Sequence, residues 1–365
     1  MILAMVAAWG GALMLLLAAC APAATPAAAP AAGQAAPASA SAPAPATAAA
    51  ATPAAPAPVP FVLGLSSISP TNANIQATKD AGLFLKYGLD PELQYIGGGT
   101  NSMAALTSGD VPVLVGGVPA FVSAALEGGN IAVIAVQSNR FDYYFVTTPD
   151  IQRPDDLRGK NLGGTRKGAL ADTAIRLVLR LWGIDPDRDV NILPAGAGND
   201  ARTIALLNGA TVGTVLNVPL PPPIAQGNFH VLADLTQMDL AYANNGVAAR
   251  RADLAQRPDF YERFMRAYVE GIHYFKTHPA EGARAVMEWG KIDDPDYARA
   301  AYDFYGGQLP RVPVPTPGAM QAVLDSLAEE QPSAKSANPD SLIDLRLVQQ
   351  LDASGFIDGL YAGTP

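Results

Sequence analysis

Seven residues recur at a spacing of one hundred positions, and that recurrence restricts the fold more than any single motif. Gly98, Ala105, Leu106, Gly109, Val115, Val118 and Pro119 return as Gly198, Ala205, Leu206, Gly209, Val215, Val218 and Pro219. Upstream, Tyr87-Gly88-Leu89-Asp90-Pro91 is echoed by Trp182-Gly183-Ile184-Asp185-Pro186. Each copy reads as helix, Gly turn, strand, Gly-rich turn, helix, strand and Val-Pro turn. Gly88 and Gly183 suit the position just past a helix, where a left-handed backbone favours glycine. Gly109 and Gly209 suit the end of the next helix. Chance repetition in an Ala/Gly-rich chain is the competing reading. Two similar α/β lobes explain the order of the elements as well as their spacing.

Alternation of Val/Ile/Leu runs with helical patterns supports that reading. Strands are expected at Phe61–Leu65, Glu92–Ile96, Val111–Val115 and Ile131–Val136, with helices near 72–87, 100–108 and 118–127. The pattern restarts with strands at Asn161–Gly164, Val190–Leu193, Thr211–Leu216 and Phe229–Leu232. Such alternation is the mark of mixed, mostly parallel sheets with helices on both faces. After Asn245 only helical patterns remain. The longest, Pro258–Thr277, places Phe260, Phe264, Ala267, Tyr268, Gly271 and Phe275 on one face. This tail is expected to pack back onto lobe one. Lobe one then comprises 61–147 plus 247–365, and lobe two 148–246. Two crossings, near 146–150 and 243–249, would form a hinge of the kind that closes around ligands.

The amino terminus reads differently. An apolar run from Met1 to Leu17 ends in Leu17-Ala18-Ala19-Cys20. It is the length of a secretory signal core and short for a membrane span. Leu-Ala-Ala-Cys resembles a bacterial lipobox, so residues 1–20 are expected to be a lipoprotein signal peptide with Cys20 as the lipidated residue. No Lys or Arg precedes the run, so the basic segment usual before a signal core is missing. Cys20 is the only cysteine, which excludes an intramolecular disulfide and a CxxC redox or zinc site. Residues 21–60 are nearly all Ala and Pro, a composition too poor in large apolar groups to offset its ordering entropy. They are expected to be a disordered tether with a reach of roughly 35 Å.

All charged residues lie after position 60, so the folded part carries the whole net charge of −9. That acidic balance, with no basic stripe, argues against nucleic acid as a partner. A local pocket field can still hold an anion.

Ligands of open α/β sheets bind beyond the carboxyl ends of the strands. In lobe one this selects Ser66, Ser67 and Ser69, the turn holding Gly98 and Thr100, and Gly117. In lobe two it selects Thr165, Arg166, Lys167 and Gly168, then Asn217. The Gly163–Thr173 turn opens a helix, where unpaired N–H groups and the helix dipole favour an anionic group. N-capping is the ordinary alternative for the serines, and a solvated turn is the ordinary alternative for Arg166 and Lys167. Arg140 ends a strand and could hold a carboxylate or sulfonate bidentately. Tyr242 lies at the return crossing, where it either lines the cleft or packs the hinge.

Taken together, these stretches resemble a family: the substrate-binding lipoproteins of ABC importers, of the nitrate/sulfonate/taurine type. That type is related to proteins handling the pyrimidine precursor of thiamine. The resemblance rests on Ala81–Asp90, Gly97–Thr100, Ala105–Val111, Asp155–Gly163, Leu177–Pro186 and Pro258–Pro279. It implies a periplasmic-binding-protein type II-like fold and capture of a small anionic or polar organic ligand. It further implies an extracytoplasmic, lipid-anchored monomer without cofactor or metal, serving an ABC permease and its ATPase. Pro112 and Gly213 stand where the family usually has Asp, and Asn217–Pro223 is unusually rich in proline. A pathway enzyme on the same fold, or a binder of a neutral heterocycle or aromatic acid, is the alternative. Against an enzyme, His230, His273 and His278 lack metal-ligand spacing, and neither a Gly-Xaa-Ser-Xaa-Gly nor a Walker motif occurs.

Overall fold

A computed structural model describes residues 57–363 except Gly98, Ala197, Asp239 and Glu329, and except the side chains of Gly99 and Thr100. The expectations for the signal peptide, for Cys20, for most of the tether and for Gly98 and the Thr100 side chain fall outside the described residues.

Among the described residues, ten strands form two sheets of five. The first contains β1 (Val59–Leu65), β2 (Leu89–Tyr95), β3 (Val113–Gly117), β4 (Ile131–Ser138) and β10 (Asn245–Arg250), in the order β2-β1-β3-β10-β4. The second contains β5 (Tyr143–Thr147), β6 (Asn161–Gly164), β7 (Asn191–Pro194), β8 (Gly213–Asn217) and β9 (His230–Asp234), in the order β7-β6-β8-β5-β9. The repeat seen in the sequence is therefore a repeat of topology. β1 pairs in parallel with β2 and β3, as β6 does with β7 and β8. Gly88, Gly183, Gly109 and Gly209 all have positive φ, as the helix ends require.

Each sheet is completed by one antiparallel strand that arrives from the other lobe. β10 lies between β3 and β4, and β5 lies between β8 and β9. Neither strand is expected from the sequence, and both displace the crossings. The chain changes sheet at residues 139–142, ahead of the expected 146–150, and again at 235–244, which meets the expected 243–249 only at its first two residues. The boundary expected after residue 147 falls at the end of β5, and the one after 246 falls inside β10. Asn-Gly-Val-Ala-Ala in β10 carries little β-branched signal. Its Gly246 is needed because a Cβ there would collide with the Ala135 carbonyl of β4.

Helices fill the connections. In lobe one they are α1 (Ala73–Asp80), α2 (Leu83–Lys86), α3 (Gly99–Ser108) and α4 (Val118–Leu126). In lobe two they are α5 (Leu170–Leu181), α6 (Asn199–Leu207) and α7 (Pro222–Ala225). The tail supplies α8 (Arg251–Gln256), α9 (Pro258–Thr277), α10 (Pro279–Gly290), α11 (Pro295–Gln308), α12 (Ala319–Leu327), α13 (Arg346–Ala353) and α14 (Phe356–Tyr361). The expected face of α9 is buried throughout, with Phe264 stacked between Phe84 and Tyr268. Gly271 lets α9 approach α1, since a Cβ there would collide with Thr78. The tail also covers the edge of β4, where the Asp344 N–H donates to the Val133 carbonyl and the Val136 N–H to that of Pro313.

One apolar core lies between the first sheet and α9. A second runs from Val118 and Phe121 of lobe one through Phe141 and Tyr242 at the crossings to Phe145, Ile175 and Val215 of lobe two. The crossings are thus part of one continuous apolar core with both lobes.

Candidate functional site

The strand ends that face each other carry the turns expected to matter, and the structure gives each a specific local role. Ser69 caps the short 3-10 turn Pro70–Asn72, accepting from the Thr71 N–H and pairing with the Thr71 hydroxyl at 3.1 Å. Ser67 accepts from Asn72 Nδ2 at 3.2 Å. Ser66 lies so close to Gly116 that any side chain there would overlap its hydroxyl. Gly117 precedes α4, and a Cβ on it would come within 3.9 Å of Leu170 of lobe two. The two lobes meet at that point.

In lobe two, Thr165 Oγ1 accepts from the Asp172 N–H, and the Gly168 N–H donates to Asp172 Oδ2 at 3.0 Å. The start of α5 therefore already holds a carboxylate, which Arg176 also contacts at 2.9 Å. Burial pushes the Asp172 carboxyl up from its ordinary value, while the Gly168 N–H and the Arg176 charge pull it back. Arg166 is exposed. Lys167 pairs with Glu330 at 3.2 Å and with Asp187 at 3.6 Å.

Arg140 is exposed and borders a small cavity shared with Thr71, Asp142, Phe304, Tyr305 and Gln308. Tyr242 belongs to the hinge packing and not to the cleft surface. It is 1% exposed, stacks on Phe141 with centroids 4.3 Å apart, and its hydroxyl meets Ser326. Expecting a cleft lining there underestimates how much apolar surface the two crossings bury.

The centre of the arrangement is a residue the sequence reading passes over. Asp142 is buried, and its Oδ2 accepts from Thr71 Oγ1 at 3.0 Å, Asn217 Nδ2 at 3.0 Å and the Tyr305 hydroxyl at 2.9 Å. Its Oδ1 accepts from Asn244 Nδ2 at 3.0 Å. The four donors come from the turn before α1, the end of β8, α11 and the return crossing. One carboxylate on the first crossing thus ties together both lobes, the tail and the second crossing. Burial, then the charge of Asp142, raises the Tyr305 hydroxyl well above its ordinary value, so Tyr305 stays a donor.

Two further layers surround this hub. Gln137 donates to the Thr71 carbonyl and to Asn72 Oδ1 and accepts from the Tyr268 hydroxyl, which fixes the lobe-one turn from below. On the other side, Arg202 is 2% exposed, with Nε on the Val215 carbonyl and Nη2 on Asn199 Oδ1. Asn199 Oδ1 also accepts the Asn217 N–H. A chain of bonds therefore joins the Arg202 cation to the Asp142 anion through Asn199 and Asn217. Burial lowers the Arg202 value from its ordinary one, opposed by the nearby Asp142. A polar set of this kind is favourable only when its members are paired. The available sequence signal was one acidic residue inside the aromatic run Phe141–Phe145.

Among the described residues, no three His, Cys, Asp or Glu side chains are arranged to hold a metal ion. His230 meets the Ile151 carbonyl, and His273 and His278 pack on Tyr361 and Tyr274.

Residues 69–282, which contain the hub, both crossings and the long helix, match the family model described as NMT1/THI5 like. The chain belongs to the NMT1/THI5-like family. A curated relative of this NMT1/THI5-like chain is the putative binding protein YtlA of Bacillus subtilis, 24% identical over 67% of this chain and 74% of YtlA. Among solved structures, the periplasmic aliphatic sulphonate binding protein SsuA of Escherichia coli has a TM-score of 0.61 at 14% identity. That match covers 80% of this chain and 92% of SsuA. The periplasmic nitrate-binding protein NrtA of Synechocystis PCC 6803 has a TM-score of 0.63 at 15% identity, covering 81% and 89%. The NMT1/THI5-like chain therefore shares the two-lobed fold of these proteins.

Proposed function

We propose that the chain is an extracytoplasmic solute-binding lipoprotein that captures a small anionic or polar organic ligand between its lobes and delivers it to an ABC importer. The observation that carries this reading is the hub: one buried carboxylate on the hinge contacts the strand-end turns of both lobes. A ligand seated between those turns would make contacts that exist fully only when the lobes are together, and such differential contacts drive closure. The family match and the printed names of YtlA, SsuA and NrtA support binding as the activity.

The proposed contacts are Ser66, Ser67, Ser69 and Gly117 from lobe one, and Thr165, Arg166, Gly168 and Asn217 from lobe two, with Gly98, Thr100 and Arg140 nearby. Cys20 is proposed to carry the lipid, with residues 21–58 as the tether, because Val59 and Pro60, expected in the tether, already pair in β1. No helix of the described residues is long and apolar enough to cross a membrane.

Thermal melting with ethanesulfonate, nitrate, taurine, benzoate and an aminopyrimidine tests the reading. A true ligand at one hundred times its Kd is expected to add about 2.7 kcal/mol of stability and to be recovered unchanged. Consumption of the ligand would favour the enzyme alternative. No shift with any compound would count against capture of this class.

A further inference from the structure

The turn that looked like an anion site, residues 163–173, already has an anion against it. Glu330 follows α12 in the tail, and its Oε1 lies 3.2 Å from Lys167 Nζ of lobe two. A Cβ on Gly168 would come within 3.5 Å of Glu330 Oε2, so the carboxylate also rests against the backbone of the turn. Inside lobe two, Asp172 and Asp187 take up Arg176, and Asp187 reaches Lys167 as well. α12 packs on α4 of lobe one. Lys167–Glu330 is therefore an ion pair from lobe two to the helical layer on lobe one. A second contact between lobe two and the tail lies elsewhere, where the Tyr297 hydroxyl of α11 donates to the Pro219 carbonyl at 3.0 Å.

We propose that Lys167 and Glu330 form a clasp that holds the lobes together without ligand, with Glu330 as an internal competitor for the cationic turn. An exposed pair is weak: Lys167 and Glu330 side chains are 53% and 35% exposed. Weakness suits the role, because a small energy moves a hinge equilibrium by a few fold without locking it. The competitor role rests on the proposed ligand reading: an acidic group entering the turn must displace Glu330, so Glu330 tunes selectivity by ligand charge. The clasp itself stands independently of that reading.

A double-mutant cycle on the full chain tests it, with Lys167→Gln, Glu330→Gln and the double variant, read by hydrogen exchange of the facing turns 66–72 and 116–119. Each single variant is expected to speed exchange about twofold to fivefold, and the double variant to do no worse than either, as for two partners of one interaction. High salt should erase the difference. Unchanged exchange in Glu330→Gln, or additive effects in the double variant, would overturn the clasp. Ethanesulfonate titrated into the same proteins separates the two claims. Tighter binding to Glu330→Gln is expected, and equal affinity in both proteins would overturn the competitor role. Absence of binding to both would overturn it too, together with the proposed ligand class, while the exchange data still decide the clasp.

Discussion

Replacing Asp142 with alanine is expected to remove about 3–5 kcal/mol of stability, measured by chemical denaturation, whereas Asp142→Asn should cost about 1–2 kcal/mol. Alanine removes the acceptor shared by the Thr71, Asn217, Asn244 and Tyr305 donors, of which Asn244 and Tyr305 are buried with no other acceptor among the described contacts. Asparagine can keep the pattern. Its carbonyl can take the three donors now on Oδ2, and its amide then faces Asn244. The Oδ1 of Asn244 is buried without a partner among the described residues, so turning that amide over supplies the missing acceptor. The two substitutions therefore separate a hydrogen-bond hub from a requirement for charge. Equal losses would show that the site requires the carboxylate charge and that the hydrogen-bond pattern alone does not sustain it. The loss should be felt in both lobes at once, because the donors belong to different elements.

Cys20→Ser should move the protein from the membrane fraction to the soluble fraction, by about tenfold or more. Each buried methylene of an acyl chain contributes about 0.8 kcal/mol to membrane binding, so loss of a lipid is not a graded effect. On the proposed reading the apolar run Met1–Leu17 still directs export in the variant, since its length and composition are unchanged. The proline-rich stretch 21–60 offers no apolar surface to hold the chain down once the lipid is gone. Continued membrane attachment of Cys20→Ser would place the anchor in the apolar run itself. Ligand affinity should be the same in both forms, because the tether contributes no proposed contact.

Much of the architecture was legible because it is repeated. The one-hundred-residue recurrence fixed α3 with β3 against α6 with β8, and Gly88 and Gly183 marked equivalent helix ends. The long helix was legible to the residue, since its apolar face has a clear helical period. The two exchanged strands were not. β5 and β10 are short, follow directly on the crossings, and take their partners from distant sequence, so local pattern says little about them. The same limit applied to the site. Turn sequences identified Ser69, Gly117, Thr165 and Asn217 as strand-end residues, but their partners lie far along the chain. Asp142 meets Thr71 across 71 positions and Tyr305 across 163. Lys167 is basic in any reading; only the fold reveals that Glu330, from the tail, stands beside it.

The central claim is that this fold holds a small molecule between its lobes and releases it unchanged. Native mass spectrometry of the protein as purified, and again with the anion panel, measures that directly. One added small-molecule mass per chain is expected, present as purified or gained with at least one compound, and recovered chemically intact. A bare chain under every condition, or a bound mass that changes on the protein, would contradict the account.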